Sequence, residues 1–115
     1  MAKVINLQTK MIDLQKFQKD VYQNKLDKKF NVTNIEKEFC LIYGELSETY
    51  EAYRKKLPSV GEEIADVVIY LLGLSEILGA DLESELKRKI EMNKIREYKR
   101  VDGVLRRTKD WFSIT

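Results

Sequence analysis

Along this chain apolar side chains return every three or four residues, the repeat of a helix with one buried face. Leu7, Met11, Leu14, Phe17 and Val21 carry the first run and predict a helix from about Val4 to Lys25. The stretch LDKKFNVT (26–33) breaks the repeat and reads as a loop. Thr33 with Glu36 three residues later makes a capping box, which starts a second helix near Asn34 and carries it to about Arg54. Its apolar stripe is Ile35, Phe39, Ile42, Leu46, Tyr50 and Tyr53. After the turn Lys56-Leu57-Pro58-Ser59, Ser59 and Glu62 form another capping box. The third helix then runs from Val60 or Gly61 to Leu78, with Gly79 just past its end. From Ile64 to Leu74 it is apolar almost all round, which predicts a helix in the middle of a bundle. Asp81 caps a fourth helix reaching about Lys99, with Leu82, Leu86, Ile90, Met92 and Ile95 inward and Asp102-Gly103 as its stop. A short basic tail from Val104 ends in Trp111 and Phe112. No internal repeat or low-complexity stretch interrupts this order.

Composition narrows the class. The 115 residues suit one helical domain, and 43% apolar content is that of a folded chain. One proline and five glycines are too few for an all-β fold. The single cysteine allows no internal disulfide, so a reducing cytoplasm is the expected location. The start, MAKVINLQTKMIDL, lacks the apolar run of a signal peptide, and Val67–Leu74 is too short to span a bilayer. Histidine is absent, which removes Ser-His-Asp triads, Cys-His dyads, histidine zinc sites and Glu-x-x-His di-iron sites. A metal here takes oxygen ligands, which favours Mg²⁺ or Mn²⁺.

The net charge of +2 conceals three zones. Residues 1–35 carry +4, residues 36–85 carry −8 and residues 86–115 carry +6. An acidic middle beside a basic end suits a metal and a phosphate held together; the same counts also fit solvated helix faces.

Asp66 stands out, because it interrupts Ile64-Ala65-Asp66-Val67-Val68-Ile69 in the helix expected to be surrounded by protein. A buried carboxylate needs a partner. Glu63 precedes it by three residues on the same face, and Glu45 and Glu48 repeat that spacing on the second helix. Glu48 and Asp66 lie about six residues either side of the turn, hence at the same level, roughly 9 Å from it at ~1.5 Å rise per residue. Four carboxylates meeting between antiparallel helices repel unless a divalent cation joins them. Spacing alone also fits surface glutamates, with Glu63 serving only the helix dipole. Lys89, Asn93 and Arg96 follow at helical spacing, with Tyr98 after them, and Lys55 and Lys56 lie at the turn; these types bind phosphate or coat a solvated helix.

Gly44-Glu45-Leu46-Ser47-Glu48, then 14 residues, then Glu63-Ile64-Ala65-Asp66 resembles the E-x-x-E…E-x-x-D motif of the MazG-like nucleotide pyrophosphohydrolases. The words ELSETYEAYRK, EEIADVVIYLLGLSEILGADLES and K-x-x-x-N-x-x-R (Lys89 to Arg96) extend the likeness over about residues 39–98. The resemblance implies an all-α, antiparallel four-helix bundle of the MazG-like type, completed by oligomerisation into a homodimer or homotetramer. It implies hydrolysis of a nucleoside triphosphate between the α and β phosphates, giving a monophosphate and pyrophosphate. Glu45, Glu48, Glu63 and Asp66 match the Mg²⁺ ligands, and Lys89, Asn93 and Arg96 match phosphate contacts. The first helix, with Phe17 and Tyr22, matches the place of a base-recognition wall. Many members carry a second glutamate where this chain has Gly44, and some relatives have Arg-Pro-Tyr where this chain has Arg96-Glu97-Tyr98.

Two other functions compete. Lys99, Arg100, Arg106, Arg107 and Lys109 near Trp111 fit a nucleic-acid binder, but the acidic middle and the lack of a recognition helix weigh against that partner. A catalytically inactive helical module is the other, and the complete set of four carboxylates opposes it. Cys40 reads as a small buried hydrophobe, and Tyr43, Tyr50, Tyr53 and Tyr70 as core or interface residues. Long helices with two apolar sides leave surface for a second copy.

Overall fold

The computed structural model describes residues 11–109. Four helices, α1 (Leu14–Asp27), α2 (Ile35–Arg54), α3 (Val60–Ile77) and α4 (Leu82–Ile95), precede two strands, β1 (Glu97–Val101) and β2 (Val104–Lys109). They form two compact units, the first ending at Leu82 and the second beginning at Glu83.

In the first unit α3 packs against both α1 and α2, the central place expected of the most apolar helix. Gly73 lets α1 come close: a Cβ there would lie 3.3 Å from Lys25 Cδ and Val21 Cγ1. Leu72 and Leu74 of α3 are buried, as are Ile42 and Ala52 of α2.

Local chemistry sets the helix ends. Asp13 caps α1 by accepting the Lys16 N–H at 3.0 Å, so α1 starts at Leu14 rather than Val4. Met11 lies outside that helix and is exposed, and Leu7 lies outside the described residues. Asn34, not Thr33, caps α2, accepting the Lys37 N–H at 3.0 Å. Asn31 holds the preceding turn by accepting the N–H of Asn34. Ser59 occupies the cap of α3 but makes no side-chain capping bond. Helices α1, α2 and α3 all end in a six-to-one bond, Phe30 N–H to Lys25 O, Leu57 N–H to Ala52 O and Ala80 N–H to Ser75 O. The residue that turns left-handed is Lys29, Lys56 and Gly79 in turn.

The second unit departs from the sequence reading. Helix α4 ends at Ile95, and Glu97–Val101 pairs antiparallel with Val104–Lys109. Asp102 and Gly103, both at positive φ (53° and 77°), form the two-residue turn. That dipeptide is a hairpin signal, and both its residues accept the left-handed backbone that a primed turn demands. The expected tail is therefore a hairpin as far as Lys109, while Trp111 and Phe112 lie outside the described residues.

Burial within the first unit inverts part of the expected stripes. On α1 the buried residues are Gln18 and Lys25, while Phe17 is 44% exposed. Gln18 donates to Glu76 Oε1 (2.9 Å) and the Ala80 carbonyl (2.6 Å), and accepts the Leu82 N–H (3.3 Å). Lys25 Nζ meets Glu38 Oε1 at 2.6 Å; the second oxygen of Glu38 accepts from Asn31 Nδ2 at 2.9 Å. Satisfied polar groups can replace apolar ones at buried positions, and these are satisfied. On α2 the inward row is Glu38, Ile42, Glu45, Thr49 and Ala52. Phe39, Tyr43, Leu46, Tyr50 and Tyr53 form the exposed row beside it, so none of them is a core residue of one chain. Cys40 is exposed rather than buried.

The Lys25–Glu38 pair yields a stability test. Lys25→Met leaves the Glu38 carboxylate buried without its cation and is expected to cost about 3–5 kcal/mol by denaturant unfolding. Adding Glu38→Leu is expected to restore most of that loss, since a buried ion pair replaced by apolar groups is often nearly neutral.

Candidate active site

The inward row of α2 faces α3 across the five-residue connection 55–59. This packing brings together one carboxylate oxygen each from Glu45, Glu48 and Glu63, all within 4.8 Å of one another. Glu45 and Glu63 are half-buried and Glu48 is exposed. Glu45 Oε2 and Glu63 Oε2 are fully buried and accept no hydrogen bond. Buried polar atoms are nearly always paired, so two orphaned acceptors in one spot mark a place for a cation or an ordered water.

Asp66 sits one helical turn beyond Glu63 and outside that three-oxygen group. It is exposed, contrary to the buried carboxylate expected. The reason is that α3 keeps one side uncovered: Ile64, Val68, Ile69 and Leu71 are each at least 40% exposed. Asp66 nevertheless acts on the cluster. Burial first, then the charges of Glu48 and Asp66, a shared hydrogen bond with Glu48 and the charge of Glu63 hold the Glu45 carboxyl above its ordinary value of 4.5. The four carboxylates thus form one electrostatic group, three of them close enough to share an ion. Hard oxygen donors with uncompensated negative charge fit Mg²⁺ or Mn²⁺.

Tyr70, one turn beyond Asp66, connects this cluster to residues the sequence did not single out. Burial and the charges of Glu45, Glu38, Asp66 and Glu48 push its hydroxyl above 10.0. Lys25 Nζ lies 5.6 Å from the centre of its ring. Two cavities share Lys25, Phe30 and Tyr70. One, of about 110 Å³, adds Val21, Asn24, Ile69 and Gly73. The other, of about 350 Å³, adds Lys29, Asn31, Lys37, Glu38 and Leu41. No spacing motif marks these residues, because they come from α1, the following loop, α2 and α3.

Of the proposed phosphate contacts, Asn93 and Arg96 meet: Arg96 Nη1 donates to Asn93 Oδ1 at 3.1 Å. Lys89 is exposed one turn earlier on α4. At the turn between α2 and α3, Lys55 lies 3.7 Å from Glu51, and Lys56 takes the left-handed backbone. Phe17 is exposed and Tyr22 is half-buried on α1.

Among solved structures, the chain is similar to the MazG-like pyrophosphohydrolase of cyanophage S-2L, bound to dGDP and three catalytic Mn²⁺ ions per active site. The two are 20% identical with a TM-score of 0.61, over 86% of this chain and all of that one. The chain shares its fold with a MazG-like pyrophosphohydrolase. No family profile and no curated protein matches it.

The cluster predicts how stability responds to ions and pH. Saturating Mg²⁺ or Mn²⁺, at about 100 times its dissociation constant, is expected to add ~2.7 kcal/mol by thermal denaturation. Glu63→Gln should remove most of that gain. Without divalent ions, Glu45→Gln is expected to raise the melting temperature near neutral pH. The raised carboxyl of Glu45 favours folding below its unfolded value and opposes it as pH rises through the folded value. The gain from Glu45→Gln therefore disappears as pH falls to about 4.5.

Proposed function

We propose that this chain is a divalent-metal-dependent nucleoside triphosphate pyrophosphohydrolase of the cytoplasm. It cleaves between the α and β phosphates to release a monophosphate and pyrophosphate. The observation that carries this reading is the meeting of Glu45, Glu48 and Glu63, with two buried oxygens unpaired, on a fold shared with a pyrophosphohydrolase. The cavities floored by Phe30 and Tyr70 and lined by lysines offer room for the nucleoside beside them.

In this reading Glu45, Glu48, Glu63 and Asp66 hold Mg²⁺ or Mn²⁺. The bound metal supplies charge neutralisation on the phosphates and a water of lowered pKa. Phosphoryl transfer asks the protein mainly for position and electrostatic support. The inward row of α2 fixes Glu45, and the first turns of α3 fix Glu63 and Asp66. A motif carboxylate oxygen not engaged with metal accepts the proton of the attacking water. Lys89, Asn93 and Arg96 bind the phosphates of the leaving pyrophosphate, where donors and positive charge stabilise the charge that develops.

Glu48→Ala and Asp66→Ala are each expected to lower Mg²⁺-dependent pyrophosphate release by about 10²–10³-fold, with far-UV circular dichroism unchanged. Turnover like the wild type in both, or a blank across a nucleotide panel for the native protein, refutes the assignment.

The active form in this proposal is a homodimer or homotetramer. Phe39, Tyr43, Leu46, Tyr50 and Tyr53 line one side of α2, and Ile64, Val68, Leu71 and Leu78 one side of α3, all at least 37% exposed. Contiguous apolar surface of this kind marks an interface. Light scattering should report at least a dimer, and Leu46→Asp with Tyr50→Asp should yield monomers. A well-behaved native monomer rejects this assembly.

A further inference from the structure

The hairpin Glu97–Lys109 carries five basic and two acidic residues. Three of its cations differ from three of those on α4. On the helix, Lys87 pairs with Glu83, Arg88 with Glu85 and Lys94 with Glu91, at 3.0–3.7 Å. On the hairpin, Lys99, Arg100 and Arg106 have no carboxylate within ion-pair distance among the described residues, and Arg100 donates only to the Gly103 carbonyl.

The register intensifies this. Lys99 stands directly opposite Arg106, and like charges across a strand pair are destabilising. A two-stranded hairpin is itself of marginal stability in water. The chain therefore keeps unneutralised positive charge on its weakest element.

The faces are also unequal. Tyr98, 53% exposed, sits opposite Arg107; Arg100 and Leu105 pair on the same face. Successive same-face residues lie about 6.7 Å apart along a strand. An exposed aromatic ring set among cations is the combination that binds single strands, with bases stacking on the ring and phosphates on the charges.

We propose that this hairpin binds single-stranded nucleic acid through its phosphates, with Tyr98 stacking on a base. The acidic middle of the chain, which weighed against such a partner in the sequence, belongs to α2 and α3, whereas the hairpin carries its own concentrated positive field. This activity is independent of nucleotide hydrolysis.

The test is fluorescence anisotropy of the full chain with a labelled oligothymidylate, without divalent ions, between about 50 and 200 mM salt. The expected result is binding that weakens about twentyfold across that range, as roughly three phosphate contacts to a single strand require. Arg100→Gln with Arg107→Gln, which removes the cations on the Tyr98 face, should weaken binding several-fold and flatten the salt slope, and Arg100→Gln alone should do so in part. Tyr98→Ala should weaken binding to the single strand more than to a duplex of the same length. Pyrophosphate release by the Arg100→Gln, Arg107→Gln protein should be unchanged. No binding at the lowest salt overturns the proposal, as does equal binding by the charge variants. Binding to anionic phosphatidylserine vesicles but not to oligothymidylate also overturns it. So does loss of hydrolysis in step with loss of binding, which would assign these cations to the carboxylate site.

Discussion

Carboxylates forced together repel, and the first unit is built so that they cannot move apart. Glu45 and Glu48 lie on α2, Glu63 and Asp66 on α3, and a five-residue connection joins the helices close by. Ile42, Ala52 and Leu74 are buried within the same pair of helices. The helices cannot splay without exposing them, at roughly 25 cal/mol per Å² of apolar surface. The cluster is therefore a strained electrostatic arrangement held by ordinary packing, and a cation is the natural relief for it. Local strain of this kind, supported by the surrounding fold, is how sites are prepared for charged ligands.

The buried pair Lys25–Glu38 extends the same logic outward. It ties α1 to α2, while Asn31 ties the intervening loop to the same carboxylate. Lys25 also lies near the Tyr70 ring on α3, so this lysine of α1 reaches both α2 and α3. Glu38 is 1% exposed with both oxygens engaged, whereas Glu45 and Glu63 each retain a buried oxygen without a partner. The contrast separates a structural carboxylate from carboxylates available for a ligand.

Helices α1 and α2 divide their surfaces in an unusual way. Polar residues, Gln18, Lys25 and Glu38 among them, occupy inward positions, and large apolar residues remain outside. Among the described residues of this unit only Ile42, Ala52, Leu72 and Leu74 are buried apolar side chains, which is a thin core. Covering the outer rows of α2 and α3 would add the apolar burial that one copy lacks.

The helical type of the four described helices and the Glu45, Glu48, Glu63 grouping were legible in the sequence, because the helical repeat and the three-residue spacing are local properties of the backbone. The local signals also placed Gly79 and the long apolar run of α3. Where two local signals competed, the outcome depended on context. Asn34 displaced Thr33 as a cap, since Asn31 had already organised the turn. Asp102-Gly103 became a turn between strands rather than a helix stop, a reading that the flanking Val101 and Val104 favoured. Which row of α2 packs inward was not legible, because the inward row carries Glu38, Glu45 and Thr49 while the more apolar row of Phe39, Tyr43, Leu46, Tyr50 and Tyr53 stays outside. Nor was the burial of Gln18, Lys25 and Glu38, since a polar residue enters a core only when its partners, 13 to 64 residues away, are already in place. Sequence therefore determined the elements and the charges they bear, and tertiary packing decided which of those charges are paired, which are orphaned, and which face outward.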